Sequence, residues 1–180
     1  MRGDYHTVTT VPLPLPSDVR NIYQTTHLAD AYSIPLPDGT TTDPEMLARF
    51  IFSDPSRWVA ALMAIRDAAV TLFGLRTAGK LTADRHNKSD CVGIFKIYSI
   101  SRQEIIMGDD DKHLDFRLSL LHQMGTQAAS ESRLIVSTVV HCHNRLGRVY
   151  IFIIAPFHRV IVKSMLCRAA RTGWPKAITR

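Results

Sequence analysis

The chain has 180 residues, a formal charge of +6 and a pI near 9.5; 46% of its residues are hydrophobic and 21% charged. This is the balance of an ordinary soluble globular chain, long enough to bury a core as a single domain over 1–180. The basic excess raises nucleic acid and anionic lipid as partners. However, no run of Lys/Arg interleaved with aromatics occurs, so no nucleic-acid contact is expected.

Three cysteines, Cys91, Cys142 and Cys167, form no C-x-x-C pair. An odd, scattered set argues against a disulfide framework or a zinc knuckle and suits a reducing cytoplasm. The first residues, MRGDYHTVTTVPLPLPSD, lack the apolar run of a signal peptide. Residues 1–20 read as an extended N-terminal segment, punctuated by Pro12, Pro14 and Pro16. DAYSIPL, 30–36, suits a short strand, and Pro-Asp-Gly at 37–39 is turn chemistry.

Two helices are predicted next. Asp43 is a natural N-cap, with Pro44 at the first helical position, and PEMLARFIF ends near Ser53. SRWVAALMAIRDAAVTLFG, 56–74, then carries Trp58, Leu62, Ile65, Ala69 and Leu72 at helical spacing and closes on Gly74. A polar loop follows to residue 90. From Cys91 the period changes to two: CVGIFKIYSI, QEIIMG, KHLDFRLSLLHQ and RLIVSTVVHCHN read as strands. The first three, separated by short turns, make an antiparallel meander.

NRLGRVYIFIIAPFHRVIVKSMLCRAART reads as a long helix with a kink at Pro156, against the alternative of a strand at 149–154 and a shorter helix. Its first half is apolar all round and is expected to be buried. VYIFIIAPF, 149–157, taken alone is too short to span a bilayer, and His158, Arg159 and Lys163 follow at once, so no transmembrane segment is expected.

The strand beginning at His113 alternates: His113, Asp115, Arg117 and Ser119 on one parity, Leu114, Phe116, Leu118 and Leu120 on the other. Matching its apolar face to Leu134, Val136, Thr138 and Val140 sets the register with the last strand. His113 then lies opposite His143 and Asp115 opposite His141, with Arg117 alongside. Such a cluster could ligate zinc or iron, or let Asp115, His141 and His143 act in acid/base catalysis. The plainer reading is a solvated cross-strand ion network, with no metal and no cofactor. Alternation sends Cys142 to the other face from both histidines, which argues against a Cys–His nucleophile. Gly-Asp-Asp-Asp at 108–111 reads as a tight acidic turn and lacks the later ligands of a calcium loop. No G-x-S-x-G, H-E-x-x-H or phosphate-loop motif is present.

Three blocks, SRWVAALMAIRDAAVTLFGL, GDDDKHLDFRLSL and HNRLGRVYIFIIAPFHRVIV, resemble a bacterial family known as domain of unknown function 2867. D-x-H-L-D-F-R and G-R-x-Y-x(5)-P-x-H stand in the family's order and spacing, and the resemblance covers about 27–170. It implies an α+β fold of the helix-grip type, a curved antiparallel sheet wrapped around a long C-terminal helix with an apolar cavity between them. It implies no reaction and no catalytic residues. The elements read from the residues agree in order, with five strands against the seven of fuller helix-grip members.

The leading functional expectation is a cytoplasmic domain that binds a small apolar or lipid-like molecule between sheet and helix. The expected lining is Phe95, Phe116, Leu118, Val136, Thr138, Val140, Tyr150, Ile154 and Phe157. The rivals are an enzyme using Asp115, His141 and His143, and an accessory domain whose cavity is packed shut. Oligomeric state is left open.

Overall fold

The computed structural model describes residues 6–52, 90–125 and 131–177. The helix expected at 56–74 and the polar loop expected up to residue 89 lie outside the described residues.

The fold is α+β. A seven-stranded sheet runs in the order β1-β2-β7-β6-β5-β4-β3, every neighbouring pair antiparallel. The strands are β1 Thr9–Val11, β2 Leu28–Pro35, β3 Cys91–Val92, β4 Phe95–Ile100, β5 Glu104–Asp110, β6 Leu114–Gln123 and β7 Arg133–Cys142. Helix α1, Pro44–Phe52, follows β2, and a 28-residue helix, α2, Arg145–Thr172, follows β7 and packs on the sheet.

Seven strands replace the five expected. β1 hides in the proline-punctuated N-terminal segment and pairs with β2. CVGIFKIYSI is two strands, because Gly93 adopts a positive φ of 57° and turns the chain so that Val92 pairs with Phe95. The acidic stretch also departs from expectation. Gly108, Asp109 and Asp110 belong to β5, and the turn falls at Asp111–His113. A Cβ on Gly108 would sit 2.1 Å from the Phe116 carbonyl oxygen, so glycine there serves a close strand approach.

The β6–β7 register is the one the apolar alternation demands, with Asp115 opposite His141, Phe116 opposite Val140 and Leu118 opposite Thr138. β2 closes onto β7, with Tyr32 opposite Val136 and Ile34 opposite Leu134. The face carrying these apolar residues looks toward α1 and α2. Its main core joins Tyr32, Ile34, Leu118, Leu120, Leu134 and Val136 to Leu47 and Ile51 of α1 and to Val162, Leu166 and Ala169 of α2. A smaller cluster joins Leu114, Val140 and Cys142 to Ile151.

Helix termini are well satisfied. Asp43 Oδ1 accepts from the backbone N–H of Glu45 at 2.9 Å, as an N-cap should. At the other end of α1, Arg168 donates to the Ile51 carbonyl at 2.8 Å, covering an acceptor that the helix itself cannot use. Asn144 caps α2 by accepting from Gly147 N–H at 3.0 Å. A Cβ on Gly147 would lie 2.3 Å from the His113 carbonyl oxygen, so the helix starts pressed against the β5–β6 turn.

α2 passes through Pro156 as one element, which removes the strand alternative at 149–154. Its first half is not buried all round. Val149, Phe152, Ile153, Phe157 and Val160 are exposed, Phe152 to 84%. Apolar composition on every side reads as burial, but only one side of this half meets the sheet. By length and composition alone α2 is sufficient to cross a membrane; the expectation of a segment too short to do so took 149–157 without its helical continuation.

Candidate functional site

The inner face of the sheet gathers most of the expected lining. Leu118, Val136, Thr138 and Val140 are buried there, while Phe95 and Phe116 are partly exposed. Across from them, α2 offers Tyr150 and Ile154, also partly exposed. Leu118 and Val136 sit in the main core, with Phe95 packed against it; Val140 sits in the smaller cluster, with Phe116 and Tyr150. Phe95 bridges the two sets, its ring 5.9 Å from that of Phe116 and 5.2 Å from that of Phe52, both edge-on. Phe157 lies on the margin turned toward the exposed stripe and is 48% exposed.

A polar group sits on this apolar face. Asp30 lies opposite Thr138, which lies opposite Leu118. The Asp30 side chain is only 8% exposed. Its Oδ2 accepts from the Tyr32 hydroxyl at 3.3 Å, and its Oδ1 stands 3.4 Å from His158 Nε2 of α2. Neither Oδ1 nor Nε2 has a hydrogen bond among the described residues; they meet at ion-pair distance without hydrogen-bond alignment. Burial, and then the Asp30 charge, push the Tyr32 phenol up to about 12, which keeps it a donor. Sequence reading passed over Asp30, although Leu28, Asp30, Tyr32 and Ile34 share one parity of β2 and the acid stands out among them.

The outer face carries the histidine cluster, and the N-terminal segment crosses it. Glu104 is buried here and accepts from the hydroxyls of Ser17 and Ser119, while its Oε2 accepts from Asp18 N–H at 3.1 Å. These contacts pin the segment to the sheet. His143 Nε2 is 3.0 Å from Asp115 Oδ1. His141 packs at ring-centroid distances of 5.2 Å from His143, 5.4 Å from His27 and 5.6 Å from Tyr23. Its Nδ1 is 2.6 Å from the Thr25 carbonyl, so that nitrogen carries the proton. His27 Nδ1 instead accepts from Cys142 N–H at 3.1 Å. Burial, with the charge of Arg148, holds the His27 pKa below the usual value and favours the neutral ring.

The register brings Asp115, His141 and His143 together; His113 turns away, and Arg117 stays alongside, 5.8 Å from the Tyr23 ring, but is engaged by Asp110. His113 turns to Asn144, Nδ1 to Nδ2 2.9 Å. Arg117 reaches Asp110 at 2.7 Å and lies over the Tyr98 ring at 3.6 Å. Burial raises the Asp110 pKa, but the hydrogen bonds from Arg117 and Tyr98 outweigh it and hold the carboxyl below its usual value. Tyr23 is pushed up to about 12, by burial first, with nearby Asp115 and Asp110 adding to the rise against Arg117. His27 and Tyr23 were missed in the sequence because nothing local says the N-terminal segment returns over β6 and β7. Among the described residues, no group of three or more His, Cys, Asp or Glu side chains is arranged to hold a metal ion.

A third feature is an open cleft of about 630 Å³ between the start of α1 and the β4–β5 turn, lined by Thr41, Asp43, Ser101, Arg102, Gln103 and His122, among others. His122 is buried, and burial lowers its pKa.

An antiparallel sheet with a long C-terminal helix packed on one face is the architecture of helix-grip proteins, and the chain is consistent with that class. The family described as "Protein of unknown function (DUF2867)" matches residues 22–165, and the chain belongs to it. No curated protein and no solved structure matches the chain significantly.

Proposed function

We propose that this domain binds a small amphipathic molecule between the inner face of the sheet and the first half of α2, where part-exposed apolar side chains would form its groove. The observation that carries the reading is the Asp30–His158 pair. Two buried polar atoms without hydrogen bonds among the described residues, set between apolar walls, are what a ligand's polar head can satisfy. The part-exposed Phe95, Phe116, Tyr150 and Ile154 then take the apolar portion. Tyr32 holds Asp30 in place from below, and Thr138 offers a further hydroxyl beside it.

Fluorescence titration of the full chain with anilinonaphthalene sulfonate tests this. Phe116→Ala, which widens the groove, should shift the apparent Kd at least severalfold, and Asp30→Asn should alter it too. Phe152→Ser, on the far side of α2, should leave it unchanged. A titration equally insensitive to Phe116→Ala and Asp30→Asn sinks the groove.

A second reading rests on the Asp115–His143 contact at 3.0 Å, with the His143 side chain 38% exposed. An exposed imidazole oriented by a carboxylate can exchange protons with a substrate. That site lies on the opposite face of the sheet from the groove.

A further inference from the structure

We infer that the outward side of α2 is a docking surface for an anionic lipid bilayer, on which the helix lies flat. Val149, Phe152, Ile153, Phe157 and Val160 recur at three- and four-residue spacing and are all exposed, so they form one apolar stripe on the side of α2 away from the sheet. Pro156 lies within it and is exposed too. The stripe occupies the first half of the helix, where only Ile151 is buried beyond the opening Gly147.

Charge supplies the choice of partner. α2 contains six basic residues, Arg145, Arg148, Arg159, Lys163, Arg168 and Arg171, and no acidic one. That equals the formal charge of the whole chain, +6. At a hundred degrees per residue, Arg145, Arg148, Arg159 and Lys163 fall along one margin of the stripe. All four are exposed. An apolar strip flanked by cations matches the boundary between acyl chains and anionic headgroups. A second protein copy would have to bury this margin against its own like charges.

The helix lies on the membrane and does not span it. Its opposite side holds Val162, Leu166, Ala169 and Ala170 in the core of the sheet, and His158 faces Asp30. Spanning would pull all of these out of the fold and carry the charges of Arg159 and Lys163 into hydrocarbon, where an unpaired cation is strongly disfavoured.

Co-sedimentation of the full chain with vesicles is the test. Three-to-one phosphatidylcholine to phosphatidylserine should bind the protein, phosphatidylcholine alone should bind it weakly, and added salt should release it. Phe152→Asp should weaken partition at least about tenfold, since a large apolar side chain is replaced by an anion. Arg148→Gln and Arg159→Gln should each weaken it about fivefold at low salt. Phe152 and Arg159 are exposed, so an unchanged thermal transition is expected for these variants; Ile153→Gln provides a second apolar test. Phe116→Ala should leave vesicle binding intact, which separates this surface from the groove. Three results overturn the inference: no binding to anionic vesicles, binding indifferent to Phe152→Asp and Ile153→Gln, or a concentration-dependent dimer that Phe152→Asp dissociates.

Discussion

From Val162 onward α2 is locked into the main core, with Leu166, Ala169 and Ala170 buried against α1 and the sheet. From Val149 to Val160 the same helix has one side against the sheet and the other exposed. The exposed half is the more apolar of the two, since Lys163, Arg168 and Arg171 fall in the later one, so hydrophobicity alone does not decide which half is buried. What differs is the number of elements that reach each half: α1, β2 and β7 share the helix, and α1 ends with the Ile51 carbonyl held by Arg168. The later half works as structure, which leaves the earlier half available for contacts with other molecules.

Truncation should make that contrast measurable. Leu166 is 1% exposed among large neighbours, and Leu166→Ala should destabilise the fold by about 3–4 kcal/mol. Ile151, 9% exposed in the smaller cluster, should cost about 2 kcal/mol as Ile151→Ala, because the site has room to relax. Chemical denaturation of both variants checks this, and equal losses would dissolve the distinction between the halves.

A pH series sharpens it from another side. Burial lowers the His122 pKa, so the folded state resists protonating a ring that the unfolded chain protonates near 6.5. The unfolded state therefore binds more protons below that pH, and stability should fall as pH drops from about 6.5 toward 5. His122→Gln should flatten that limb. An unchanged limb would place its origin elsewhere, with His27, whose pKa is also lowered, the next residue to replace. The smallest effect belongs to the exposed stripe: Phe152→Ser should move the denaturation midpoint by no more than about 0.5 kcal/mol of stability.

How far the sequence could be read follows the range of each signal. Period-two alternation and the matching of apolar faces were enough to set Asp115 opposite His141, because a one-residue slip would turn every side chain over. Asp43 and Pro44 mark the start of α1 by local chemistry. What escaped is non-local. Nothing in VPLPLPSD announces that Ser17 will meet Glu104, or that Thr25 and His27 will meet β7. The apolar character of 149–157 signals aversion to water without naming what covers it. Gly108 reads in the sequence as a turn-former among acids, whereas its role is to admit the Phe116 carbonyl.

The two ends of the sheet carry a consequence of their own. One border is β1, three residues long and followed by Pro12, Pro14 and Pro16; the other is β3, two residues long. A border this short presents few free backbone donors and acceptors, and proline donates none. The long strands β6 and β7 are kept in the interior of the order, where both edges are already paired. Among the described residues, the outermost strands β1 and β3 therefore offer another chain little backbone to extend.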